Sequence, residues 1–178
     1  LTRAAELGAQ MLDLAESSRD PHQLLLSRWM LGYTALFNGR PAQGRALLEQ
    51  VLETYDPSQH HWLAHAMSVD PGVASLAHLS GALCCLGYLD QAVERAAAAE
   101  ELAAALDHPL SSCFALISYV WSFVPEAGAE KFSRMRVLAE QHGFPLILAF
   151  AKSFEGHRLL GAGRAREASA LLIESLAL

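Results

Sequence analysis

Leu31-Gly32-Tyr33-Thr34-Ala35-Leu36-Phe37-Asn38-Gly39-Arg40-Pro41-Ala42-Gln43-Gly44-Arg45-Ala46-Leu47-Leu48-Glu49-Gln50-Val51 decides how this chain folds. Apolar residues recur at helical spacing on both sides of Gly39, and a glycine between two such segments ends the first with little strain. Pro41 suits the first turn of the next helix, where its missing N–H has no partner to lose. A link this short forces the second helix back antiparallel to the first. Gly44, early in the second helix, leaves room for the two backbones to approach.

The arrangement recurs. Leu79-Ser80, Gly87-Tyr88-Leu89, Ala92, Ala96 and Ala99 repeat it, as do Glu155-Gly156, Gly163-Arg164-Ala165, Ala168, Leu172 and Ser175. A weaker copy runs through Leu116-Ile117, Pro125, Ala129 and Ser133. One slot holds Gly44, Ala92, Ala129 or Ala168, so a small residue at fixed phase is a packing requirement. Prolines at 21, 41, 57, 71, 109, 125 and 145 open most segments, and Asp20, Asp56 and Asp70 stand before three of them as N-caps. These marks predict helices near 2–18, 22–38, 41–55, 58–68, 72–86, 89–106, 110–123, 126–142, 145–161 and 164–178. Sparse β-branched residues and missing alternation argue against strands.

The units resemble the tetratricopeptide repeat, which couples Leu-Gly in one helix to Ala and an apolar residue in the next. The resemblance implies an all-α fold: a right-handed superhelical solenoid of antiparallel hairpins with about nine to ten helices. Its segments would be 1–20 (second helix of a preceding repeat), 22–55, an insertion at 56–70, then 71–106, 109–142 and 145–178, in a single domain. The turns lie further apart than the ~34 residues usual for that repeat. Ile117 replaces the expected glycine in the third unit and Glu155 the expected leucine in the fourth. Leu1 already lies inside a helical pattern and the last residues stop within one, so a piece of a longer protein is expected.

Tyr55-Asp56-Pro57, His60, Asp70-Pro71-Gly72-Val73, Leu86-Gly87-Tyr88-Leu89-Asp90-Gln91-Ala92 and Gly143-Phe144-Pro145 resemble a block in large bacterial signalling proteins. Those carry a class III adenylyl or guanylyl cyclase domain or a protein kinase domain, then a STAND/AAA-type ATPase module, then a helical-repeat tail. The resemblance implies a non-catalytic, regulatory repeat segment. No cyclase, kinase or nucleotide-binding motif lies in this sequence, so those activities attach to no residue here.

The 178 residues include 13 Lys+Arg against 19 Asp+Glu, a net charge of −6, with 52% hydrophobic and 18% charged residues. That balance excludes disorder and leaves little to neutralise a nucleic-acid backbone. Three cysteines, two adjacent, build no disulfide framework and favour a reducing, cytoplasmic setting. The uncharged stretches 71–89 and 109–125 are broken by Gly, Pro, Ser and His, so they read as buried helices rather than membrane spans.

In a repeat stack the first helices line the concave side. Their phase points Trp29, Tyr33 and Phe37 to the groove from the first unit. Ala77, Gly81, Cys84 and Cys85 follow from the second, Phe114, Ser118 and Trp121 from the third, and Phe150, Ser153 and His157 from the fourth. Such a strip suits a peptide, a protein partner or upstream domains of the same chain; packing of hairpin on hairpin is the competing use. A homodimer through the terminal helices is also expected. A second reading makes the segment a small-molecule sensor of an ATPase-type transcriptional activator, with Ser118, Ser153 and His157 converging on a pocket.

No catalytic, cofactor or metal residue is assigned. His60, His61 and His65 cluster, but the helix lacks the Glu of a zinc-protease motif and reads as exposed or capping histidines. Cys84-Cys85 is vicinal, its side chains about 100° apart on a helix, and matches no redox pair. Gly161-Ala162-Gly163 lacks the preceding strand and final glycine of a dinucleotide loop.

Overall fold

The computed structural model describes residues 2–121 and 125–176. Eleven helices run through them: α1 (Thr2–Ser18), α2 (Pro21–Phe37), α3 (Pro41–Thr54), α4 (Pro57–His60), α5 (Leu63–Met67), α6 (Pro71–Cys85), α7 (Leu89–Leu106), α8 (Pro109–Trp121), α9 (Pro125–His142), α10 (Pro145–Gly161) and α11 (Ala165–Leu176). The protein is all-α, with no strand among the described residues.

The Asp-Pro pairs start helices as their chemistry dictates. The Asp20 carboxylate accepts from the N–H groups of His22 and Gln23, Asp56 from Ser58, and Asp70 from Gly72 and Val73. Proline occupies the first helical position, one residue earlier than the predicted starts. The hairpin turns repeat in atomic detail. Gly39, Gly87 and Gly163 have φ of +73°, +84° and +75°. After each, an N–H reaches back five residues: Arg40 to the Ala35 carbonyl, Tyr88 to Leu83 and Arg164 to Leu159, each at 2.9 Å. This satisfies carbonyls that a helix end otherwise orphans. Three stops escaped the glycine rule, because Arg19, Ser68 and Asp107 take left-handed φ without being glycine.

The small-residue slot is a backbone contact. A Cβ on Gly44 would lie 2.9 Å from the Gly32 carbonyl oxygen, and one on Gly32 would lie 2.8 Å from Leu48 Cγ. The same pairing returns in α10 and α11, where a Cβ on Gly156 would lie 2.8 Å from Leu172 Cγ.

One expectation is corrected. The single helix at 58–68 is two short ones, which lifts the count above nine to ten. Asp56 and Pro57 start α4, but after one turn Ala64 and His65 donate to carbonyls three residues back, and the four-residue ladder breaks. The chain forms two compact units, Leu1–Ser122 and Phe123–Leu178. The division falls inside the expected repeat 109–142, placing α8 in the first unit and α9 in the second.

In the first unit α2 and α3 form one hairpin, α6 and α7 another, with α1 on α2 and α8 on α6 and α7. Every residue from Pro71 to Leu83 is buried, because α2, α3, α7 and α8 all pack on α6. That explains the uncharged stretch: a helix apolar on all sides belongs inside. The core joins Leu25, Trp29, Leu48, Val51, Leu79 and Leu83. In the second unit α10 packs on α9 and α11 over Met135, Ala139, Ile147, Ala151, Leu159 and Ala168. No helix among the described residues is long and apolar enough to cross a membrane.

Candidate functional site: an aromatic strip and a histidine cluster

Trp29, Tyr33 and Phe37 stand four residues apart on α2, so they stack up one face. Their ring centroids are 6.1 Å apart for Trp29–Tyr33 and 6.4 Å for Tyr33–Phe37. His78 of α6 joins them, stacked on Tyr33 at 5.4 Å and edge-on to Phe37 at 6.2 Å. Phe114 of α8 meets His78 at 5.3 Å. Three helices, α2, α6 and α8, thus share one aromatic strip. It is graded from inside to outside: Trp29 is buried, Tyr33 and Phe114 are half-buried, and Phe37 is 52% exposed.

His78 is the residue the sequence reading missed at the centre of the strip. The expected contributors from α6 lie elsewhere. Ala77 and Gly81 are fully buried, Cys84 packs on the core, and Cys85 is exposed at the helix end. A phase error of one residue, about 100° of helix rotation, explains the miss, since α6 is buried all round and offers no polar face to fix its rotation. The His78 Nδ1–H donates to the Ala74 carbonyl at 2.7 Å, and the Trp29 indole nitrogen lies 3.5 Å from the same atom. Burial pushes the imidazole down to about 4, against the opposing pull of that hydrogen bond. His78 is therefore neutral at pH 7.

Ser118 does not reach the strip. It is fully buried, and its hydroxyl donates to the Ala115 carbonyl within α8. The Trp121 side chain lies outside the described residues. In the second unit Phe150 is 42% exposed and stacks on Phe154 at 6.3 Å, which stacks on Phe132 of α9 at 5.4 Å. Phe132 and Phe154 carry this second aromatic row with Phe150. Ser153 is half-buried, and exposed His157 donates from Nδ1 to the Ser153 carbonyl at 2.7 Å.

A separate polar constellation gathers where α6 and α8 begin. Asp70 is fully buried. Its Oδ1 accepts from the Gly72 and Val73 N–H groups, and its Oδ2 accepts from the Tyr55 hydroxyl at 2.9 Å. Burial and the Asp70 charge push the Tyr55 phenol well above its ordinary value. The Asp70 N–H donates to Ser111 Oγ at 2.8 Å, and His108 Nδ1 lies 2.8 Å from that hydroxyl. Around this anchor the rings of His61, His65 and His108 stand 6.0 to 6.4 Å apart. On the other side of the segment His60 meets His22 at 5.2 Å and Tyr55 at 5.7 Å. Sequence reading found His60, His61 and His65 together; His108 joins them only through folding.

Among the described residues no group of three or more His, Cys, Asp or Glu is placed to hold a metal ion. The thiols whose acidity moves do so away from the thiolate: burial pushes Cys113 up to about 11 and raises Cys84. Burial, with Glu100 accepting from its hydroxyl at 3.0 Å, lifts Tyr119 to about 12.

No protein-family model matches the chain, and no curated protein matches it.

Proposed function

We propose that this chain is a non-catalytic, regulatory helical-repeat segment of a larger bacterial signalling ATPase, linked to a cyclase or kinase and working in the cytoplasm. Its hairpins continue a right-handed solenoid, and the aromatic strip on its first helices receives a peptide, a protein partner or another part of its own chain. One observation carries the reading: Trp29, Tyr33, His78, Phe114 and Phe37 form a continuous ring series that ends at an exposed rim. A buried base holds the rim rings in place, so a partner gains large contact area at small entropic cost. The repeated turns and small-residue slots support the repeat architecture, and the block from Tyr55 to Ala92 supports the signalling context.

The test is selection of a displayed random-peptide library on the immobilised chain. Enrichment of apolar or aromatic peptides whose binding is lost in Phe37→Asp is the expected result. No enrichment, or peptides that bind Phe37→Asp as well as the parent chain, would remove the strip from the account.

A further inference from the structure

Helix α1 carries apolar residues on two adjoining faces. On one, Gly8 and Ala15 are buried, and α1 packs on α2. On the other, Ala4, Leu7, Met11 and Leu14 are exposed, the three large side chains by 44%, 43% and 65%. Their steps of three and four residues are those of a coiled-coil seam.

The first unit holds a second version of this helix pair in which the seam is covered. Arg19 and Asp107 take left-handed φ of +53° and +49°, each two residues before the proline that opens the next helix, Pro21 of α2 and Pro109 of α8. Matching these turns lays α1 and α2 on α7 and α8, and sets Ala4, Gly8, Met11 and Ala15 on Ala92, Ala96, Ala99 and Ala103. All four of those alanines are buried, because α6 and α8 both pack on α7. Leu14 matches Leu102, which packs half-buried against Val73 and Leu76 of α6 and their neighbours. Helix α1 thus leaves open the slots that α6 fills on α7. One slot differs: Leu7 stands where α7 has the exposed Arg95. A helix seated as α6 is would leave Leu7 in water, so an occupant that covers it must centre on the whole seam.

We propose that this occupant is α1 of a second copy, antiparallel across a twofold axis. With the axis midway between Leu7 and Met11, Leu7 of each copy faces Met11 of the other, and Ala4 faces Leu14. Small then meets large in the outer layers, and flexible Met meets Leu in the inner ones, which fills the seam without overpacking. A face that is complementary to itself closes on one partner. On the flank beside Leu7 and Leu14 the axis sets Arg3 against Ser17 and Gln10 against Gln10, so no like charges oppose each other there. The dimer does not rest on the aromatic strip, none of whose residues lies on α1.

Sedimentation velocity of the 178-residue chain tests it. A monomer–dimer equilibrium between about 2 and about 200 µM is expected for a seam only about 15 Å long. Met11→Asp and Leu7→Lys, both at exposed positions, are each expected to raise the dimer dissociation constant by more than about tenfold, since each puts two charges into the seam. Mixed in equal amounts, the two variants are expected to recover association to within about tenfold of the native chain. Their heterodimer pairs the new lysine with the new aspartate in one layer and keeps Leu7 against Met11 in the other. Ile173→Asp, on α11, is expected to leave association unchanged. Circular dichroism checks that each variant keeps its helices, and Leu7→Lys alone carries the test if Met11→Asp does not fold. A chain monomeric at about 200 µM, the top of that range, would overturn the proposal. So would a dimer indifferent to Leu7→Lys, a dimer lost in Ile173→Asp, or a mixture of the two folded variants that stays monomeric.

Discussion

Replacing His78 with Phe separates packing from protonation at the centre of the aromatic strip. Phe keeps a ring against Tyr33, Phe37 and Phe114 and removes the titration. In the native chain burial lowers His78 from 6.5 to about 4. The folded state therefore refuses a proton that the unfolded chain accepts. Its stabilising contribution is complete above pH 6.5 and declines as pH falls toward 4. At about 1.4 kcal/mol per pH unit that interval corresponds to roughly 3 kcal/mol, an order of magnitude for one buried group. Urea unfolding followed by helical circular dichroism at pH 7.5, 5.5 and 4.5 measures it. The native chain should lose stability across the series beyond what His78→Phe loses, with the difference growing to about 3 kcal/mol at the lowest pH. His108 titrates in both proteins, so the variant should still show a shallower slope below pH 6.5. Parallel stability curves would refute the assignment of a buried neutral imidazole at the strip's centre.

Other substitutions test the architecture by the same unfolding measurement. Gly44→Ala puts a methyl group 2.9 Å from the Gly32 carbonyl oxygen, a backbone atom that cannot rotate away; overpacking should outweigh the helix-propensity gain and cost about 1–2 kcal/mol net. Gly161→Ala meets nothing within 4 Å and should be neutral or slightly stabilising. Asp70→Ala removes the α6 cap and leaves the Tyr55 hydroxyl without its acceptor, a loss of about 2–4 kcal/mol, whereas Asp70→Asn should retain much of it. Phe37→Ala, at the exposed rim, should change stability by less than about 1 kcal/mol.

Local punctuation was legible because its causes are local. Asp20, Asp56 and Asp70 cap helices through side chains that reach two or three residues, and Gly39, Gly87 and Gly163 stop them through their own φ. The break inside 58–68 was not, because it depends on His60 Nδ1 accepting from the Asp56 N–H and on a ladder that shortens by one residue. The strip on α2 followed from four-residue spacing alone. Its continuation on α6 did not, because a helix buried on every side carries no amphipathic signal from which to read its rotation. His108 lies 43 residues from His65 in the chain, and only the docking of α8 beside α5 and α6 reveals that they meet.

The buried state of α6 also decides where function can be tested. His78 in α6 and Asp70 at its cap are both buried, one in the strip and one under the histidine cluster, so changes there report on stability rather than on binding. Trp29 and Ser118 are buried as well, so their loss would report on folding rather than on binding. The informative positions are the exposed ends of the same constellations. Phe37 and Phe150 can be made polar without opening a cavity. If these surface changes leave partner binding intact while core changes abolish it, the aromatic rings serve only to hold the hairpins together. Losing partner binding in a fully folded rim variant is the outcome that assigns function to the surface.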